Sequence, residues 1–578
     1  MKNARRLGIT TVLLVATGSA MAAVYPCYPL QGLTFFSPRS QGVNAAQQWV
    51  GWHPYIHMFN EGQNYFTLAA NLVYAHSRRP ERISQALFGS DCFRVSGSEI
   101  KPRGRYDMIA DSFGLSTKFQ SAIKLRPSIR NALVTVDGFC GLDAMCPGLY
   151  FQFHAPAAWT RWHIRVCEDI DCESENEDFP IGYMGPGPDT IPVGATSFKQ
   201  AMAGCVKFGD MQDPIKHGKI SRCPLTEKGL ADLLLIAGYD IVCREIGFAG
   251  FNFRVTVPTG TRPKAEYLFE PIVGNGRHWG FGVGFVGRGL IWESSGDQEV
   301  SLFVELNLTH LFRARQCRSF DLKRRLNAEP PNPCCPCTSG ERGACFPCIG
   351  TDTNFGSRYL LLKEFDKDGQ YTGNLTPVIN HTTLPCKVSV DLEAEFLIML
   401  AYNYRCMLFD LGYNGWLRSK EKIKLKATPF CDKRFALKGI QQAWTNFTGD
   451  AVDNNTESTA TLASETTNQT IGDYPTFPQL PLPSPQSAQD VLQDANPPIY
   501  TLPEMLDCRS AASPRLLTHK LFTHLGYAPD PDNCSFAPFF GIGLEVEFEG
   551  VNPVYKSEVP YRNTLSQWAI WTRGGIHF

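Results

Sequence analysis

Between Gly541 and Glu549 the chain alternates at every residue. Ile542, Leu544, Val546 and Phe548 fall on one side of an extended strand, and Gly541, Gly543, Glu545, Glu547 and Glu549 on the other. A helix would mix the two sets. Three carboxylates on one face require water or cations, whereas the opposite face requires hydrocarbon or a packed core. The same alternation comes in pairs of segments. Phe281, Val283 and Phe285 alternate with Gly280, Gly282 and Gly284, a turn is expected at Ser294 to Gln298, and the return strand sets Leu302, Val304, Leu306, Leu308 and Phe312 against Glu305, Asn307, Thr309 and Arg313. Farther on, Leu392, Ala394, Phe396, Ile398, Leu400 and Tyr402 oppose Asp391, Glu393 and Glu395. After a turn near Asn403 to Cys406 the apolar set becomes Met407, Phe409, Leu411 and Tyr413, with Asp410 on the other face. The switch of parity across each turn keeps the apolar residues of both strands on one side of a sheet.

A weaker pair places Leu149, Phe151 and Phe153 before a strand with Trp162, Ile164 and Val166 opposite Arg161, His163 and Arg165, so its polar face is basic. Further strands are expected near Asn64 to Ala75, Tyr239 to Val257, Arg358 to Lys363, Phe435 to Trp444 and Leu516 to Tyr527, the last also readable as a short helix. The count is roughly 12 to 18 antiparallel strands, and the even-number rule of closed barrels favours about 14 or 16. The fold class expected is all-β, a large antiparallel transmembrane β-barrel with long cysteine-containing loops.

Two segments do not fit a barrel wall. Asp450 to Pro498 is rich in Thr, Ser, Asn and Pro and is expected to be a long mobile loop; Pro330 to Gly350 holds Cys334, Cys335, Cys337, Cys345 and Cys348 among Pro and Gly. Composition agrees with strands and turns: 19% charged, 12% aromatic, 50 Gly and 40 Pro. A net charge of -1 with no basic block argues against nucleic acid as a partner.

The first residues change the picture from a β protein to an exported one. Lys2, Arg5 and Arg6 precede a short apolar stretch, Leu7 to Ala16, and Ala20-Met21-Ala22 forms a cleavage box, so residues 1–22 are expected to be a signal peptide and 23–578 the mature barrel with its loops. That stretch is too short to cross roughly 30 Å of hydrocarbon, and no later run of about 18 apolar residues exists. In an exported chain the 20 cysteines are expected to pair as disulfides.

The C-terminal segment Gln567-Trp-Ala-Ile-Trp-Thr-Arg-Gly-Gly-Ile-His-Phe578 ends on an aromatic residue, and Trp568, Ile570, Ile576 and Phe578 share one parity. It resembles the last strand of bacterial outer-membrane β-barrel proteins, and segments 267–279 and 409–418 resemble parts of large, porin-like members of poorly characterised families. The resemblance implies an outer-membrane location, with outer-membrane lipid and the barrel-insertion machinery as partners, Trp568, Ile570, Ile576 and Phe578 being the insertion signal, and a homo-oligomer as one assembly. The function expected is a pore passing ions or small hydrophilic solutes by diffusion. Arg161, Arg165, Glu305, Glu393, Glu395, Asp410, Glu545, Glu547 and Glu549 are its lumen and selectivity residues, because facing charges tune ion passage. Two alternatives stand beside it: a cysteine-stapled surface or adhesion protein anchored by a barrel, and an exported soluble β protein.

Cys334-x-x-Cys337 and Cys345-x-x-Cys348 have the spacing of a tetrahedral zinc site, with disulfide stapling of the loop as the competing reading. No G-x-S-x-G, H-E-x-x-H or phosphate-binding loop occurs. No enzyme activity and no cofactor are expected.

Overall fold

The computed structural model describes residues 32–59, 62–100, 107–172, 177–179, 183–185, 190–244, 247–294, 298–322, 356–367, 371–425, 430, 434–438, 505–529, 536–550 and 565–578. The expected signal peptide, the Cys334 to Cys348 cluster and the 450–498 segment lie outside the described residues.

Twelve strands form one closed antiparallel ring, in chain order: β1 (Tyr65–Arg78), β2 (Gln120–Gly141), β3 (Leu149–Cys172), β4 (Leu233–Arg244), β5 (Gly247–Val257), β6 (Gly280–Ser294), β7 (Gln298–Ser319), β8 (Thr383–Tyr404), β9 (Met407–Arg418), β10 (Leu516–Tyr527), β11 (Ala537–Glu549) and β12 (Ser566–His577). Each strand pairs with its sequence neighbours, and β12 returns to β1 with Thr67 opposite His577 and Arg78 opposite Ser566. Four shorter strands join the same sheet outside the ring. Leu225–Leu230 extends the line of β4 along β3, and Glu421–Leu425 extends β9 along β8. The ring is smaller than the 14 or 16 strands favoured from sequence, although it keeps an even number.

Alternation places apolar side chains on the outside. Leu72, Phe253, Phe285, Phe396, Leu411 and Leu544 all point out of the barrel and are exposed. Leu544 sits at mid-strand in β11 with 52% of its surface exposed. Such a belt is favourable against lipid tails and costly against water. Leu544→Arg is therefore expected to cost about 2–4 kcal/mol of stability in lipid bilayers. Equilibrium urea unfolding in liposomes measures it; an unchanged midpoint would show that this face does not meet hydrocarbon.

The two rims differ. On one, short connections such as residues 142–148 and 405–406 join the strands, and Phe578 lies there; on the other lie the described parts of the long connections, among them 79–100, 107–119, 190–232, 356–367 and 505–515. The described parts of the long connections fold over the second rim, with helix α1 (Pro80–Phe88) packed on β2 and apolar clusters built from residues such as Phe88, Phe113, Phe198, Trp162 and Phe269. A second cluster joins Phe320, Leu322, Leu362, Val378, Val388 and Leu506.

This cap explains one misplacement from sequence. β3 is a single strand of 24 residues with no turn between Phe153 and Trp162. At about 3.3 Å per residue and a tilt near 40° it rises roughly 60 Å, about twice the lipid-facing band of such barrels. Phe151, Phe153, Ala157 and Trp159 face outward in the lower half, and Arg161 and Arg165 share their parity and are exposed outward in the upper half. Above the outward apolar belt the polarity of the wall inverts: the outside is charged, and the inside holds Trp162 and Ile164 against the cap core. Arg161 and Arg165 are therefore not lumen residues. Arg313 also departs from its expected inward face, because register shifts between Thr309 and Ala314 turn it outward.

Candidate functional site

The lumen is occupied by the chain itself. Residues 32–58 start in the cap, where Leu33 N–H donates to the Ala86 carbonyl (2.9 Å) and Phe36 packs near Trp162 and Phe269, and descend through the ring to the short-turn rim, from which β1 begins. The segment lacks two-residue alternation and is dense in ring side chains: Trp49, Trp52, His53, Tyr55 and His57. Helix α2 (Ala45–Trp49) is about one turn long, with every side chain buried. A helix this short is not stable alone, so the wall holds it.

The wall does so through the acidic parity residues expected from sequence. Glu395 on β8 accepts from the Ala45 N–H (2.9 Å) and pairs with Arg39, whose guanidinium also lies 3.6 Å from Glu547 and donates to Asn414 Oδ1 at 3.0 Å. Glu305 on β7 accepts from the Trp49 indole (2.8 Å), from Arg254 (3.1 Å) and from Asn307 (2.9 Å). Glu545 on β11 takes Lys520 at 3.1 Å and the Asn44 amide at 3.2 Å; Glu547 takes Thr518 and Gln567, both at 2.8 Å. Asp410 accepts from the Gly51 N–H at 3.3 Å and faces His524 (3.2 Å) and His53 (3.7 Å). Glu393 is half-buried, opposite Arg418 on β9, and Glu549 lies near the upper rim, 3.9 Å from Arg82 of α1.

Glu305, Glu395, Asp410, Glu545 and Glu547 are all buried, so they hold a filled interior and do not line a water-filled passage. The charged lumen expected from sequence is corrected on this point, since these carboxylates bond the plug and its wall neighbours. Burial of so many carboxylates is tolerable because each finds donors; an unpaired one would carry a large desolvation cost.

Lower in the lumen, rings take over. Trp49 stacks on His57 at 5.0 Å, His57 reaches Asp240 on β4 at 3.1 Å, and Tyr55 stacks between Phe539 (5.0 Å) and His577 (5.3 Å). Gly51 is required by the fit: its φ is +82°, and a Cβ there would lie 2.7 Å from the His524 ring. Arg573 on β12 ties wall to plug, donating to the Val50 carbonyl (2.7 Å) and to Asp137 (2.6 Å) with its guanidinium 4.5 Å from the Trp52 ring centre. Asp137 also binds Asn71 at 3.0 Å and His154. A gap of about 40 Å³ remains between plug and wall, bordered by Asn44, Asn131, Glu545 and Gln567. It is large enough for a water molecule or two.

Trp568, Ile570, Ile576 and Phe578 lie on the outward parity of β12, and the Phe578 N–H and carbonyl bond the backbone of Phe66. Cys140, Cys167, Cys386 and Cys406 are free thiols, so the expected disulfide framework is not seen at these positions. Sequence reasoning missed the plug and its basic anchors Arg39, Arg254, Lys520 and Arg573. The available signal was the aromatic, non-alternating run just before the first strand.

No protein-family model matches the chain, and no curated protein does. Solved structures that align with it include the TodX deltaS2S3 mutant monoaromatic hydrocarbon channel, at 8% identity over 95% of this chain and 99% of that one, TM-score 0.28. The Ralstonia pickettii toluene transporter TbuX aligns at 8% identity over 94% and 98%, TM-score 0.23, and a Pseudomonas aeruginosa FadL homologue at 6% over 95% and 99%, TM-score 0.25. At TM-scores of this size the likeness says nothing further about the chain.

Proposed function

We propose that this protein is an outer-membrane channel for small solutes whose passage is closed by its own N-terminal segment. The outward apolar belt and the closed ring support a membrane location, with membrane lipid as the surrounding partner. The observation that carries the gating is the chemistry of the plug contact: Glu305, Glu395, Asp410 and Glu545 each bond a plug residue. A permanently filled interior is served equally well by apolar packing, because buried ion pairs rarely add net stability. Carboxylates that exchange a plug donor for water or a neighbouring cation suit a part that moves. The first solutes to pass are small ones, entering beside a shifted plug and moving down their gradient without covalent chemistry.

The test weakens two anchors together. Arg39→Gln with Trp49→Phe removes hydrogen bonds to Glu395, Asn414 and Glu305. A loss of about 2 kcal/mol from the closed state raises the open-to-closed ratio roughly 30-fold. Planar-bilayer recordings are expected to show frequent brief openings in the variant. A folded variant as silent as the parent would favour the second reading, a barrel that only anchors its cap at the cell surface, which the packed cap itself supports.

A further inference from the structure

On the outer wall, a groove of about 800 Å³ crosses β12, β1, β2, β3 and the Leu225–Leu230 strand. The groove exists because Ala132 and Ala157 stand on the outward face where neighbouring positions carry large side chains, and Leu72, Val134 and Ile570 flank it. Tyr74, Trp159 and Lys228 form its upper border; Trp159 stands opposite Ala132 on one side and Lys228 on the other. The next outward row up is His76, Arg130 and Arg161, in direct register across three strands, and two rows above it Arg126 stands opposite Arg165.

Two arginines directly opposite each other destabilise a sheet unless an anion lies between them. Among the described residues, Arg126, Arg130, Arg161 and Arg165 have no carboxylate partner, and the outward Asp169 lies beyond Arg165, away from the groove. Elsewhere on the wall the outward Lys422 has a carboxylate of the protein beside it, Asp391 at 2.5 Å. The rim concerned carries the long connections, which in outer-membrane barrels is the external one. Arg and phosphate make strong, often bidentate hydrogen bonds.

We propose that this surface binds one phosphorylated lipid of the external leaflet, with acyl chains in the Ala132 and Ala157 groove and headgroup phosphates on Arg126, Arg130, Arg161 and Arg165. The aromatic border of Tyr74 and Trp159 sits at the level where chains meet headgroup, the usual place for such rings. The proposal rests on the membrane reading above but is independent of whether the plug moves.

Full-length protein in detergent micelles, titrated with bisphosphorylated lipid A and with the same lipid dephosphorylated, tests it by native mass spectrometry. The intact protein is expected to hold the phosphorylated lipid about tenfold more tightly. Replacing Arg126, Arg130, Arg161 and Arg165 by Gln removes that preference, while the four-Lys replacement keeps most of it and shows that the fold survives. Ala132→Trp with Ala157→Trp, both on the outward face, fills the groove and weakens both lipids. Equal binding of the two lipids, a Gln variant that keeps the preference, or full displacement by equimolar inorganic pyrophosphate would each overturn the site. A protein that fails to enter liposomes at all would instead overturn the membrane reading.

Discussion

A variant in which residues 39–57 are replaced by a Gly/Ser linker of equal length is expected to turn a silent barrel into a steadily conducting one. A ring of twelve strands spaced about 4.8 Å apart and tilted near 40° is roughly 24 Å across between opposite backbones. Side chains from both walls leave room for about one further chain, the place residues 32–58 take. With the anchors gone, Glu305, Glu395, Asp410, Glu545 and Glu547 lose their plug partners and become hydrated instead of buried, so the emptied interior fills with water and not with collapsed side chains. Their excess over Arg254, Lys520 and Arg573 makes the opened passage selective for cations. Bilayer recordings under a salt gradient measure both properties. A folded linker variant that does not conduct would remove the gating proposal, and anion preference would show that the carboxylates do not govern the interior.

Arg573→Met is expected to bring the largest loss of stability from one side chain, about 3–5 kcal/mol, because it leaves Asp137 buried without its cation. Asp137 is fully buried, and its remaining partners, Asn71 and His154, supply at most one further positive charge. The same change releases the Val50 carbonyl and the Trp52 ring, so wall and plug are weakened together. Pairing it with Asp137→Leu removes the orphaned charge and is expected to recover part of the loss, a non-additivity that a simple packing defect does not produce. Heat-modifiable gel migration and urea midpoints report both. A single variant as stable as the parent would show that water reaches Asp137 freely.

The stretches most legible in the sequence are those whose outward face is a continuous apolar belt. β11, residues 280–285 and 302–308 of β6 and β7, and residues 392–402 and 407–413 of β8 and β9 keep one parity apolar and outward, and their turns fall where alternation changes phase. β2 was missed because its pattern reverses midway. Ile123, Leu125 and Ile129 are apolar and inward under the cap, whereas Val134 and Val136 are apolar and outward against lipid, so the two halves cancel over the whole strand. The same reversal in β3 split one strand into a false hairpin and put Arg161 and Arg165 on the wrong side. A local pattern tells which face is oily. It does not tell whether lipid or protein covers that face. The acidic residues of the interior were found for this reason, while their partners were not: Arg39 and Glu395 are separated by 356 positions, and nothing near Arg39 hints at a carboxylate.

The pairing of β1 with β12 links positions as far apart as Thr67 and His577, whose side chains are hydrogen-bonded at 2.9 Å across a separation of 510 residues. The first strand to leave the ribosome therefore waits for the last, and until then a growing sheet carries two bare edges around a segment already threaded between them. Such distant pairing is slow and exposes aggregation-prone edges. Assembly is thus a wrapping of the wall about its own stopper, completed only when the final dozen residues arrive, and loss of those few residues would leave an unrolled sheet instead of a leaky channel.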